Sequence, residues 1–263
     1  MTALMALALS DQPDRPRGTP NVSFAFANPA GDRLLVWDEV PAPATLVKAV
    51  CAGGAVVDVR WVGHQKAGEA SNGREDARNF ANVMGELFEP TPALAKVSGS
   101  DDEQDCLLAG AVFAQARSFV AVTGSGDCAP GVRERLARVR GRALTACARK
   151  GTLGADHQVV LAVFEPRGKS LLASMAVLGP GRIAWHDYAA EMNEQRLSCW
   201  RVDDDCTFPP GWVDVVFGYT GPGGTMGLML AWGGLESQSL TLVEGQSGAL
   251  RELASSSRYW TPE

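Results

Sequence analysis

VVLAVFEPRGKSLLASMAVL, residues 159–178, reads as two β-strands and the turn between them. Apolar residues fill 159–164 and 170–178, and Glu165-Pro166-Arg167-Gly168-Lys169 separates them. Proline presets φ at the second turn position, and glycine takes the left-handed position that closes a bulged hairpin. Outward from this hairpin the same punctuation recurs. Further runs at 182–188, 196–202, 213–220, 226–232 and 239–244 follow at close spacing, and Gly245 to Gly248 turns into 249–253. Such spacing predicts an antiparallel meander.

Upstream, Val22–Ala27 and residues 33–40 flank a matching turn, Asn28-Pro29-Ala30-Gly31-Asp32. Helices are expected at 44–51 and 75–87, a strand at 55–62 and an acidic linker at 101–105. Ala25, Pro29, Gly31, Leu34 and Leu35 recur as Ala162, Pro166, Gly168, Leu171 and Leu172 at an offset of 137. Turn chemistry alone accounts for such an echo, and a duplicated unit giving two β lobes is the other reading.

Residues 130–150 carry the best-defined helical pattern. Pro130 suits the first helical position, Gly151 the stop, and Arg149 with Lys150 the negative C-terminal end. At 100° per residue Val132, Leu136, Val139, Ala143 and Cys147 form one stripe. The expected fold is therefore α+β, mainly antiparallel hairpins with one central arginine-rich helix. It divides into a lobe at 21–127, the helix at 128–151 and a lobe at 152–263, or a single domain over 21–263. Residues 11–20 form a polar linker before it.

The whole chain has 263 residues, 46% of them hydrophobic and 21% charged, which is globular composition. Its net charge of −6 opposes general coating of nucleic acid or anionic membrane. No apolar run is long enough for a membrane span. Residues 1–10, MTALMALALS, resemble the apolar core of a signal peptide but lack a basic start. An N-terminal strand or frayed tail is the other reading.

Six cysteines, Cys51, Cys106, Cys128, Cys147, Cys199 and Cys206, show no metal or redox spacing. Disulfides need an oxidising compartment, so an exported leader and an even cysteine count support each other. Cys106 and Cys128 flank two apolar runs that, paired as a hairpin, set them opposite each other at about 5.5 Å. Cys199 and Cys206 bracket a short loop. Cys128 and Cys147 are not expected to pair, because a continuous helix would hold them roughly 26 Å apart. Elimination leaves Cys51 with Cys147.

No local motif spells catalysis, a cofactor or a metal. His64, His157 and His186 lack zinc spacing, and His186 and Asp187 alternate faces of a strand. Gly124-Ser125-Gly126 and Gly245-Gln246-Ser247-Gly248 miss the spacing of a nucleophile elbow. Gly218 to Gly227 resembles a phosphate loop in composition only and reads as a hairpin connection. Asp203-Asp204-Asp205 offers carboxylates for calcium but lacks the alternate spacing of an EF-hand. Cys128 sits near Arg133 and Arg135 before a helix start, an environment that activates a thiol when no disulfide forms. Trp185, Trp200, Trp212 and Trp232, with Tyr259 and Trp260, would suit glycan or peptide binding if exposed, but alternation assigns most of them to the core.

The helix also shows arginine ridges beside small residues. Arg135, Arg138, Arg142 and Arg149, with Gly141, Leu144 and Ala148, form a candidate surface for a protein partner or self-assembly. The reading as a whole is an exported, periplasmic or extracellular, disulfide-stabilised binding or assembly protein without catalysis. The alternatives are a cytoplasmic location and a hydrolase-type enzyme built from distant residues such as Cys128 or His186.

Overall fold

Small and large residues alternate along residues 22–27, the first strand of a closed barrel. In the computed structural model, which describes residues 20–95, 104–194, 198–201, 204–234, 236–246 and 248–260, six strands pair antiparallel. They are β1 (Val22–Ala27), β2 (Leu34–Val36), β3 (Leu46–Cys51), β4 (Val56–Gln65), β5 (Gly85–Thr91) and β6 (Asp105–Gly110), in the order β1-β2-β5-β4-β3-β6. Six strands enclose little room. Ala25, Ala27 and Ala49 turn inward beside Leu34, Phe88 and Leu108, while Phe24 and Phe26 turn outward.

A short helix, α1 (Ala111–Gln115), leads out of the barrel to β7 (Ser118–Val120). The chain continues through β8 (Gly126–Asp127), α2 (Pro130–Arg140), β9 (Leu144–Leu153), β10 (His157–Arg167), β11 (Ser170–Gly179) and β12 (Arg182–Glu191). It ends with β13 (Val213–Thr220), β14 (Met226–Gly233), β15 (Ser237–Gly245), β16 (Gly248–Ala249) and β17 (Arg251–Tyr259). One sheet has the order β16-β12-β11-β10-β9-β8 and the other β17-β15-β14-β13-β7.

These pieces stack as four layers. Leu136 of α2 packs on Val160, Ala176 and Trp185 of the six-stranded sheet. The opposite face of that sheet, with Leu161 and Met175, meets Leu228 and Leu230 of the five-stranded sheet. Behind these, Phe217, Met229 and Leu242 meet Phe24, Leu107 and Ala109 of the barrel wall. Middle strands covered on both faces read as unbroken apolar runs, which is why residues 159–164 show no alternation.

Arg258 of β17 links the last two layers. Its side chain is fully buried, donates to Asp105 of β6 at 2.9 Å and to Gln238 at 2.8 Å, and lies over the rings of Phe26 and Trp37. Burial pushes the Asp105 carboxyl up, and the Arg258 charge and the Gln238 hydrogen bond work against that rise.

The architecture is mostly β and not α+β with a central helix: the described residues hold only two α-helices, and α2 caps an outer face. The expected stop at Gly151 does not end α2; Gly141, ten residues earlier, does. Gly141 takes the left-handed conformation (φ 60°) as the helix cap. Leu144 onward, rich in alanine, arginine and lysine, has helical propensity, but pairing with β10 overrides it. Gly151 instead lies at an irregularity of β9, where a side chain would strike the Thr123 carbonyl. Val139, expected in the core stripe, is 57% exposed. Residues 44–51 and 75–87 contain only single 3₁₀ turns, at Pro43–Thr45 and Phe80–Asn82, before β3 and β5. The two Pro-x-Gly hairpins fall in differently built layers, the barrel and the six-stranded sheet.

Three disulfides follow from this path. Cys51 bonds Cys106 directly across β3 and β6 inside the barrel, with Cα atoms 4.1 Å apart. Cys128 bonds Cys147, the pairing a long helix forbids. Eleven residues of α2 advance about 16 Å, and β9 reverses and brings Cys147 back beside the start of the helix. Cys199 bonds Cys206, the one expected pairing the structure forms, and no free cysteine remains. The expected pairings Cys106–Cys128 and Cys51–Cys147 are therefore overturned. No helix among the described residues is long and apolar enough to cross a membrane. The apolar stretch at 1–10, the polar stretch at 11–19 and most of the acidic linker at 101–105 lie outside the described residues.

Candidate functional site

At one end of the two-sheet sandwich, β13 begins, β14 ends, and the Cys199–Cys206 loop folds alongside. Buried acid chemistry shapes that loop. The Asp204 carboxylate is 3% exposed and accepts the backbone N–H groups of Cys199, Trp200, Arg201 and Cys206 at 2.5–3.0 Å. Burial acts to raise this carboxyl, but the four donors outweigh it and hold it below its ordinary value. Asp204 lies close to the sulfurs of Cys199 and Cys206, but those sulfurs are already bonded to each other and the carboxylate is occupied by backbone. This set does not fit a metal. Of the calcium candidates, Asp203 lies outside the described residues.

The loop presents Trp200 and Arg201 to the sandwich. Trp200 donates to the Tyr188 carbonyl at 3.1 Å and meets Phe208 edge-on. Arg201 lies over the Trp232 ring at 4.5 Å, and burial lowers its pKa. It donates to the Trp232 carbonyl at 2.7 Å and to the Ser237 carbonyl at 3.4 Å. Gly234 permits that approach, because a Cβ there would stand 1.7 Å from the guanidinium.

Together these elements wall a groove of about 1090 Å³. Trp200, Trp212 and Trp232 line one part, and Tyr259 with Trp260 line another, where the Trp260 N–H extends the pairing to the Glu236 carbonyl. Asp214, Glu236, Ser237 and Ser239 supply polar rims. The indole nitrogens of Trp232 and Trp260 have no hydrogen-bond acceptor in the structure. The groove offers aromatic faces beside carboxylate and hydroxyl groups on a scaffold held by a disulfide.

The other candidate residues lie elsewhere. His64 hydrogen-bonds Glu86 at 2.9 Å on the barrel wall, and Trp61 shares that carboxylate. His157 packs its ring against Gly179, with Nε2 unpartnered. His186 meets Tyr188 edge-on inside the sandwich, and burial depresses its pKa against the raising influence of the Leu250 backbone, Glu252 and Asp187. Asp187 points the other way, to Arg140. Cys128 is bonded to Cys147 and is no nucleophile. The structure therefore does not assemble the Cys128 or His186 hydrolase site.

Nor do the seven residues of the arginine surface form one helical ridge. Arg135 and Arg138 lie on α2, Gly141 caps it, Arg142 follows in the turn, and Leu144, Ala148 and Arg149 belong to β9. Arg142 donates to the carbonyls of Glu165 and Ser170 and so ties the turn to the next hairpin.

Sequence periodicity assigned the tryptophans to a core face. Of the four strand-region tryptophans only Trp185 is buried, whereas Trp200, Trp212 and Trp232 are half-buried at the sandwich end. The signal that marks them is their clustering near chain reversals, at the Cys199 loop and the ends of β13 and β14. No protein-family model matches the chain, and no curated protein or solved structure shows significant similarity to it.

Proposed function

We propose that this is an exported binding protein whose ligand occupies the tryptophan groove. The observation that carries the reading is the groove itself, with aromatic faces and polar rims on a wall fixed by Cys199–Cys206 and Asp204. Preorganised aromatic walls with a few polar groups are the usual chemistry of a ligand site. The ligand class that fits best is a neutral oligosaccharide. Sugar C–H faces stack on indole rings, and vicinal hydroxyls donate to carboxylates such as Glu236 and Asp214. Their charges are offset by Arg201 in the lining and by Lys150, paired with Asp214 at 3.1 Å, so that a neutral ligand suits the groove. Export is supported by the three disulfides, which persist in oxidising compartments.

Titration of the unreduced protein with a panel of neutral oligosaccharides, followed by tryptophan fluorescence and calorimetry, tests the groove. Binding weakened about tenfold or more by Trp212→Ala, with unfolding free energy nearly unchanged, is expected. Binding only to a proline-rich peptide, or sugar binding indifferent to Trp212→Ala and Trp260→Ala, overturns the assignment. Free-thiol titration of the unreduced, denatured protein is expected to find essentially none.

A further inference from the structure

The outer face of the six-stranded sheet carries a second cavity of different chemistry. About 420 Å³ in volume, it lies between α2 and the start of β12, with Ile183 and Trp185 as floor and Arg135, Arg140 and Arg182 as walls. Three arginines line it, and the one ion pair formed by any of them among the described residues is Arg140 with Asp187. Arg140 also lies over the Trp185 ring at 4.1 Å, so its plane is set, yet its Nε is buried with no acceptor. Arg135 is held by the carbonyls of Gly179 and Arg182, both at 3.1 Å. Arg182 is exposed at the mouth, beside Gly181 and Gly248, neither of which has an atom within 4 Å of where a Cβ would stand.

We propose that this cavity binds a compact oxyanion, sulfate or phosphate, either free or as an ester on a larger molecule. Planar guanidinium forks match the oxygens of such groups, and arginines already held in place by backbone carbonyls and an aromatic ring spend little freedom in meeting one. The anion would also balance the excess positive charge. This inference does not depend on the groove, which lies in another part of the sandwich and has acidic rims.

The test titrates the full chain with inorganic sulfate, inorganic phosphate and phenyl phosphate at fixed ionic strength, with chloride as reference, and reads binding by calorimetry and amide NMR shifts. Saturable binding is expected, with shifts centred on Arg182 and Gly248. Arg182→Ala, at an exposed position that folding tolerates, is expected to weaken it at least tenfold. Arg140→Lys, which keeps the charge but loses the planar fork, is expected to weaken it less. Arg138→Ala, on the same helix outside the cavity, leaves it unchanged. Phenyl phosphate tenfold tighter than inorganic phosphate assigns the site to an esterified group, and equal affinity assigns it to the free anion. No response beyond that of chloride, or equal losses in the Arg182 and Arg138 variants, overturns the proposal.

Discussion

Hairpins β1–β2 and β10–β11 turn on like residues, Pro29 with Gly31 and Pro166 with Gly168, yet one enters a closed wall and the other an open sandwich. In the barrel every strand finds a partner on both sides, so no edge is left, and the interior is filled by alanines, larger residues such as Leu34, Phe88 and Leu108, and one cystine. In the sandwich the two sheets share a core but leave an end where β13 starts and β14 stops. Half-buried tryptophans gather at that end because no further layer covers it. Closure stabilises, and the incomplete end leaves the concave aromatic surface that the proposed function uses.

The sharpest way to break the comparison is at the seam between the two units. Asp105→Ala leaves Arg258 buried without its carboxylate, and a loss of about 3–5 kcal/mol in unfolding free energy is expected. Replacing the pair together, Asp105→Leu with Arg258→Met, is expected to recover most of it. Chemical denaturation checks both. A loss below about 1 kcal/mol for Asp105→Ala would mean that the layers hold without the pair.

Next in size are the cystines, which constrain loops of unequal length. Replacing Cys51 and Cys106 together by alanine, with a sequence separation of 55, is expected to cost about 4 kcal/mol. The same replacement at Cys199 and Cys206, separated by 7, is expected to cost about 2 kcal/mol and to weaken ligand binding as well. Equal effects of both pairs on binding would erase the division between a structural barrel and a functional sandwich end.

The smallest effect is acid-dependent and confined to the groove. The folded-state carboxyl of Asp204 lies below its ordinary value, so the stability it adds is present at neutral pH and is lost as pH falls through the folded value. Asp204→Asn is expected to remove that dependence at a cost of about 1–3 kcal/mol, since backbone donors lose an anionic acceptor. Comparing unfolding of the two proteins from pH 6 down to pH 3 measures it.

Much of the strand content was legible because turn chemistry is local. Pro166 with Gly168, and the glycines from Gly221 to Gly224, mark reversals whichever sheet the strands join. The end of α2 was not legible: the helical pattern runs on to Gly151, and only the pairing of residues 144–153 with β10 moves the end back to Gly141. That one boundary carried the cysteine pairing with it: a helix through residue 147 separates Cys128 from Cys147, and a reversal at Gly141 joins them. Runs at 107–114 and 118–123 likewise read as one hairpin, whereas β6 closes the barrel and β7 edges a different sheet.

By itself, then, the sequence determined many of the chain reversals, the extended runs that flank them in the last third of the chain, and that its cysteines are available to pair, because glycine, proline and β-branched residues act on their own backbone. Tertiary structure alone decided which strands meet, where the long helical pattern stops and which cysteines bond. It also decided that Trp200, Trp212 and Trp232 stand half-buried at one end of the sandwich, at the border of its core, rather than inside it. Those outcomes depend on contacts between residues far apart in the chain, and no local pattern encodes which of two competing partners arrives.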